Sequence, residues 1–395
     1  MQTVDCKIFS LLVFFFYSLR LLKIICYFCI GFIIELSVKL HIFNPEHDLS
    51  LAANLRHFTP PAAARMMRDD LDYLPMLWAD ADDLVLVRDV DRAKSFALKY
   101  CDLFAGVQFV TESDIIRSNL SVPIEISPWG WDLCLLERLN RMGAKHFVCP
   151  SDRYLSDVRS LSHRSWAASN ILPVLKNRVE FTLGESQEVT SLVDVERCLR
   201  LWGMCVVKAP WSCSGRGVRY IKKSADWERN KSWALQIIRQ QGSVMTEPYY
   251  INKVMDFAME FNVRNDNVCY EGLSVFSTQH TAYSGSVLAS EQDKLSMFPP
   301  AVRDLIVPIS AELCGILENK LCGLYEGPLG VDMMVVLQDN VYKIHPCVEV
   351  NLRRTMGHVA IAVFNRCGLR FKNLSFHYEK KSVGASCGSM QLLLT

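Results

Sequence analysis

Apolar and polar positions alternate with a period of two through VEVNLRR, residues 348–354. That alternation, with β-branched Val348 and Val350, predicts a strand. Its pleat sends Val348, Val350 and Leu352 to one face and Glu349, Asn351 and Arg353 to the other. One face suits a core. The other lines up a carboxylate, an amide oxygen and a guanidinium. GVDMMVV (330–336) alternates likewise, and the turn-prone Gln338-Asp339-Asn340 separates it from VYKIH (341–345). Paired as a hairpin, position 332 falls opposite about 347, so Glu349 becomes the diagonal neighbour of Asp332, roughly 7–8 Å away between backbones. Pro346 cannot donate to the ladder and marks a bulge or edge able to adjust this register.

Upstream, strand patterns alternate with helical ones. KLHIF (39–43), LVLV (84–87), VQFV (107–110) and PIEI (123–126) read as short strands. Thr59 is placed as a helix cap, with Pro60 in the first turn of a helix through AAARMMRDDL. Residues 90–101 are helical in pattern, and 132–142 form an amphipathic helix with Asp132 as cap. Such alternation predicts a small parallel α/β sheet over 38–150. Farther on, 157–172 reads as a helix ended by Pro173. CVVKAPWSCSGRGVRYIKK (205–223) reads as two strands around a loop rich in serine and glycine. SVMTEPYY (243–250), DFAMEFNV (256–263) and GLSVF (272–276) are further strands, and helical patterning returns at 301–321. The tail from 367 has no clear pattern.

Residues 8–34 are rich in Phe, Leu and Ile. A spanning helix needs about 20 mostly apolar residues, and here Arg20 and Lys23 interrupt the run near its middle, where charge is costly. A strand begins almost immediately afterwards, which leaves essentially no tether. Residues 1–37 therefore read as an extension upstream of the true start, with Val38 a residue that an alternative start codon can encode. The other reading is a membrane anchor. On the first the protein is cytoplasmic; on the second it is tethered to a membrane.

Composition narrows the class. The chain has 395 residues, half of them hydrophobic, enough for two or three domains with real cores. Lys+Arg of 43 against Asp+Glu of 42 gives no basic excess, so no nucleic-acid partner is expected. Fifteen cysteines, mostly single and in apolar runs, read as reduced, buried thiols. Cys26 and Cys29 form a C-x-x-C without partners and carry no metal site.

Candidate chemistry gathers in four places. Asp332, Glu349 and Asn351 present the oxygen ligands that hard cations such as Mg²⁺ take. Arg353 and Arg354 are suited to clamp phosphate or carboxylate. The loop with Ser212, Ser214, Gly215, Arg216 and Gly217, after Lys208, can fold bare amides over phosphates, although hairpin turns use the same residues for purely conformational reasons. It is not a Walker loop, because the lysine precedes the glycines. In a parallel sheet ligands sit beyond the carboxyl ends of the strands. Asn44, Glu46, His47 and Asp48 there, with Trp129 and Trp131, suit a substrate pocket with polar anchors and an aromatic wall. They suit equally a capped turn and core tryptophans.

The order of these segments resembles the ATP-grasp superfamily: a strand with Lys208, the loop SCSGRG, a strand ending in T-E-P-Y, then G-V-D and E-V-N on closing strands. The match covers roughly 150–360, and 38–150 looks like the α/β domain that usually precedes it. The fold class it implies is α/β and α+β: a small parallel N-terminal domain, a two-subdomain ATP-grasp domain over 151–366, and a tail over 367–395. It further implies MgATP, with one or two Mg²⁺ or Mn²⁺ ions, between the subdomains. Lys208 would touch the α/β phosphates, and the 212–217 loop would cover the β/γ phosphates. Glu247, Tyr249 and Tyr250 would meet the adenine edge, and Asp256 or Glu260 the ribose. Asp332, Glu349 and Asn351 would hold metal, and Arg353 and Arg354 would steady the reacting group. Where many members place a first ATP lysine, this chain offers His163 or Arg164. The activity implied is ligation of a carboxylate, through an acylphosphate, to an amine or thiol, on a small-molecule or peptide-end substrate. A small-molecule kinase and an ATP-binding module without turnover are the alternatives.

Overall fold

Short aliphatic strands set between amphipathic helices build the first sheet: β1 (Lys39–Ile42), β2 (Leu84–Leu86), β3 (Gln108–Val110), β4 (Ile124–Pro128) and β5 (Phe147–Val148). Its strands run parallel in the order β3-β2-β1-β4-β5. Leu40, Ile42, Leu86, Ile124 and Ile126 are buried on it against Leu135 and Leu139 of the helix Leu133–Arg141. Asp132 caps that helix by accepting from the Leu135 amide. The computed structural model describes residues 38–100, 106–118, 123–143, 147–212, 215, 217–279, 282–379 and 389–395. The apolar segment at 8–34, Cys26 and Cys29, and Ser214 and Arg216 lie outside the described residues.

The second sheet is antiparallel and four-stranded: β6 (Gln187–Val189), β7 (Cys205–Lys208), β8 (Val218–Ile221) and β9 (Val244–Pro248), in the order β6-β9-β7-β8. Cys205, Val207, Ile221 and Val244 pack on the helices Leu192–Trp202 and Ser224–Gln241. By the period of two, Val206 and Lys208 face away from those helices.

The third sheet is antiparallel and seven-stranded: β10 (Lys253–Arg264), β11 (Asn267–Gln279), β12 (Ala282–Val287), β13 (Gly327–Gln338), β14 (Val341–Asn351), β15 (Asn373–Glu379) and β16 (Ser389–Leu394). Its order is β14-β13-β10-β11-β12-β15-β16. Phe257, Met259, Phe261, Val331, Met333 and Val350 bury one face against Ile309, Leu313 and Leu317 of the helix Pro300–Leu321. The opposite face carries Asp256, Glu260, Asp332, Glu349 and Asn351, by the register of β10, β13 and β14. This is the fold class that the sequence implied: a parallel α/β sheet followed by two antiparallel, helix-backed sheets. Among the described residues, no helix is long and apolar enough to cross a membrane.

Three local expectations are corrected. The single helix over 157–172 is three: Asp152–Leu161, Arg164–Asn170 and Leu172–Arg178. His163 interrupts it with extended backbone, and its Nδ1 accepts from the Ser165 amide and restarts the helix. Pro173 then sits in the first turn of the third helix, where its missing N–H is not needed, rather than ending anything. Thr59 is not a cap: the helix begins at Ala62 behind an extended Pro61. Residues ahead of a proline are held out of helical backbone, and Thr59 and Pro60 lie outside the helix. The tail also carries structure. β15 and β16 pair antiparallel, and Leu374, Leu392 and Leu394 are buried with Val359 and Val363 of the helix Met356–Cys367.

Candidate active site

Asp332 and Glu349 pair directly across β13 and β14, and Gly330 pairs with Asn351. The diagonal placement expected from the turn is wrong because the ladder slips between Asp332 and Met334. Met333 faces the stretch Pro346–Val348 there, so the proline does set a bulge. The bulge turns Cys347 into the core beside Val350 and leaves Val348 half-buried. Directly opposed residues have Cβ atoms about 4.5–5.5 Å apart, closer than the expected diagonal. Burial, then the charge of Glu349, pushes the Asp332 carboxyl up to about 7, against the pull of Arg353. Two opposed carboxylates and an amide oxygen are a donor set a hard divalent cation fits. Among the described residues, no group of three or more His, Cys, Asp or Glu forms a metal cluster.

Arg164 bridges the two antiparallel sheets. It opens the helix Arg164–Asn170 and is buried. Its guanidinium donates to Glu349 Oε1 at 2.7 Å, to Ser212 Oγ at 3.0 Å and to the Ala209 carbonyl at 2.5 Å. Burial pulls its pKa down, but the charge and hydrogen bond of Glu349, with the charges of Asp48 and Glu247, together raise it. The serine-glycine loop is thereby tied to the acidic face. Gly215 takes φ +69°, where a side chain is strained, and the loop closes through Val218 N donating to Gly215 O. A Cβ at Gly217 would stand 2.3 Å from Ser212, so the loop's two limbs touch there.

Lys208 pairs with Glu247 at 2.5 Å, both buried. Glu247 also accepts from Ser186 Oγ. Burial and the charges of Asp332, Glu247 and Glu349 push the Cys347 thiol up, and Lys208 pulls it back. Tyr250 meets His345 edge-on at 6.1 Å. Burial, then Lys208 and Lys176, drives His345 down to about 3, so it is neutral. Tyr249 turns the other way: it packs on Tyr220 at 5.6 Å and under the Lys222 ammonium at 4.4 Å.

The acids of β10 separate. Asp256 stays half-buried, paired with Lys253 at 2.6 Å. Glu260 turns inward. It is buried against Thr355 and His358, with its Oε2 3.0 Å from His358 Nδ1. A Cβ on Gly330 or Gly357 would strike it, so glycines wall it in. Burial pushes Glu260 up to about 8 and His358 down to about 3, so the pair is uncharged near neutrality.

The N-terminal loops divide as well. Asn44 and His47 are not free anchors. Asp132 Oδ2 accepts from Asn44 Nδ2 at 3.2 Å and lies 3.1 Å from His47 Nδ1, while Oδ1 accepts from Ser50 and the Leu135 amide. Glu46 is paired with Arg68 at 2.6 Å. Trp129 is a core residue packed on Phe43, and Trp131 packs on the parallel-sheet core. Asp48 alone reaches the acidic face: Arg353 grips it with Nε at 3.0 Å and Nη2 at 2.9 Å, and also donates to Asn351 Oδ1 at 2.9 Å. Burial raises the Asp48 carboxyl, but Arg353 outweighs it and holds it below the usual range. Arg354 points elsewhere, with its guanidinium carbon 4.6 Å from the Trp78 ring. His345 was missed because nothing in VYKIH distinguishes it from a surface position. Arg164 was legible only as one of two cations on the helix read over 157–172.

No protein-family model matches the chain, and no curated protein matches it. Solved structures similar to it include N5-carboxyaminoimidazole synthetase from Staphylococcus aureus complexed with ADP. That likeness has 11% identity and TM-score 0.48, over 91% of this chain and 94% of that one. Phosphoribosylamine–glycine ligase from Thermotoga maritima is similar at 12% identity and TM-score 0.49, over 89% of this chain and 83% of that one. A biotin carboxylase complex from Campylobacter jejuni is similar at 16% identity and TM-score 0.47, over 88% and 77%. At identities this low, function is read from this chain's own residues.

Proposed function

We propose that the chain is an ATP-dependent carboxylate ligase with MgATP in the cleft between the four- and seven-stranded sheets. The observation that carries this is Arg164. It joins the serine-glycine loop to Glu349, and Glu349 stands opposite Asp332 in register. On this reading the loop amides, the buried lysine and the acidic pair would each serve a different part of a nucleoside triphosphate. Lys208 and the 212–217 loop serve the phosphates. Glu247 and Tyr250 border the base, and Asp256 the ribose. Asp332, Glu349 and Asn351 would hold the divalent ion, whose charge would offset that developing on the phosphoryl oxygens.

In the reaction, a substrate carboxylate oxygen attacks the γ-phosphorus and ADP leaves. The acylphosphate then reacts with an amine or thiol at its acyl carbon, and phosphate departs. Arg353, fixed by Asp48 beside Asn351, would steady the acyl oxygen. The test is a screen of a metabolite pool for ATP-dependent mass gain, with ADP and free phosphate measured, comparing the wild type with Glu349→Ala. Phosphate release that needs both a carboxylate and a nucleophile supports the ligase. ADP without free phosphate reports a kinase, and nucleotide binding without turnover reports a binding module.

A further inference from the structure

Arginine is expensive to bury because its guanidinium never gives up its charge near neutrality, so interior arginines find oxygens. The half-buried and buried arginines here follow that rule among the described residues, with one exception. Arg164 has Glu349, Arg353 has Asp48, Arg68 has Glu46 and Arg92 has Asp72. Arg159 donates to the Leu51 carbonyl. Arg354, half-buried, has no ion pair and no side-chain hydrogen bond among the described residues, and its Nε is buried with no partner. Its backbone is fixed, with the amide donating to the Trp129 carbonyl at 2.8 Å.

What surrounds it is a second observation. The guanidinium lies over the Trp78 ring at 4.6 Å. Trp78 Nε1 is itself buried without a partner, and so is Nδ1 of His41, whose ring meets Trp78 edge-on at 6.4 Å. His41 Nε2 lies 2.9 Å from Asp83 Oδ2. Three neighbouring polar side chains thus have unmet nitrogens, whereas both oxygens of the Asp132 carboxylate are met. Desolvation pulls Arg354 down to about 10, with Glu271, Tyr325 and Glu260 pulling back. An aromatic floor under an unpaired, partly reachable guanidinium fork is an anion seat. The adjacent Arg353 holds Asn351, so this seat adjoins the acidic face without belonging to it.

We propose that Arg354, stacked on Trp78, anchors a second, non-reacting acid group of the substrate, a carboxylate or a phosphate ester. The inference rests on the ligase reading only for the word substrate; the anion seat stands on its own geometry. The substrate class is then a polyanion. Its reacting carboxylate faces Arg353 while its second acid group is held against the N-terminal domain.

The test uses the full chain, with inorganic phosphate and succinate as probes, followed by calorimetry and tryptophan fluorescence. MgADP binding is measured alongside on every variant. The wild type is expected to bind at least one probe with a change in emission. Arg354→Met should weaken that binding at least tenfold and leave MgADP affinity unchanged. Arg354→Lys, which keeps the charge and loses the fork, should weaken it several-fold. Trp78→Phe should abolish most of the emission change. Stronger binding of phosphate points to a phosphate ester, and stronger binding of succinate to a dicarboxylate. Absence of probe binding by the wild type, or equal affinity in the wild type and Arg354→Lys, overturns the proposal even if Arg354→Met fails to fold. MgADP binding that persists while probe binding fails removes this inference alone; the reverse removes the nucleotide reading and leaves the anion seat.

Discussion

The polar cluster about Asp132 is buried and the carboxylates on the polar face of β13 and β14 are half-buried, and the two are wired differently. Around Asp132, both carboxylate oxygens have partners, drawn from Asn44, His47, Ser50 and the Leu135 amide. The cluster stitches the loop after β1 to the loop after β4, and nothing in it is left to bind a ligand. On the acidic face the pairing is incomplete. Asp332 stands against another carboxylate and is pushed up to about 7. Arg164 and Arg353 reach in from other parts of the fold to offset the charge. A satisfied buried network holds a fold together, whereas carboxylates opposed to each other raise its energy unless something further binds. The difference separates architecture from site among residues of the same chemical types.

The sharpest way to break that contrast is Glu349→Ala. ATP turnover should fall by roughly 10²–10³-fold or more, the range for losing a group that stabilises transition-state charge, while circular dichroism stays that of the wild type. Turnover that survives would mean the acidic face is not the site. Asp132→Ala should do the opposite. It strands several buried partners and should destabilise the protein by roughly 3–5 kcal/mol, as when one partner of a buried pair is removed. Chemical denaturation reads the loss, and turnover per folded molecule should be kept.

The pH dependence sharpens the contrast further. Glu260 and Asp332 have folded pKa values of about 8 and about 7, above their unfolded values. Their stabilisation is complete at low pH and is lost as pH rises through those values. His345 and His358, lowered to about 3, act oppositely, but only below about pH 6.5. Between about pH 6.5 and 8 stability should therefore fall, by up to roughly 1.4 kcal/mol per pH unit for each group. Urea melts across that window check it. Glu260→Gln should flatten the Glu260 part, and added Mg²⁺ the Asp332 part. A flat profile in the wild type would contradict both shifts. The smallest effect is expected at the surface. Arg56 pairs with Asp152 at 2.5 Å, but both are exposed. Arg56→Ala should cost less than about 1 kcal/mol, measured in the same melts.

Much of this was legible in the chain. Alternation in GVDMMVV and VEVNLRR places Asp332, Glu349 and Asn351 on one face of two strands because a period of two admits no other reading. Asp132 as a helix cap followed from the same local chemistry. Local pattern could not say which polar residues would meet each other. Asn44, Glu46, His47 and Asp48 form one short run, yet two close on Asp132, one on Arg68 and one on Arg353. Glu260 and Asp256 share a strand face, and only one is walled in by Gly357 and His358.

The sequence by itself determined the elements, their faces and the residue types that the cleft would contain, because dihedral preference and side-chain period act over a few residues. The tertiary structure alone decided the slip that sets Asp332 against Glu349, the reach of Arg164 across two sheets and the solitude of Arg354. Each depends on groups tens to hundreds of residues apart in the chain, and no local rule fixes which distant oxygen a buried charge will find.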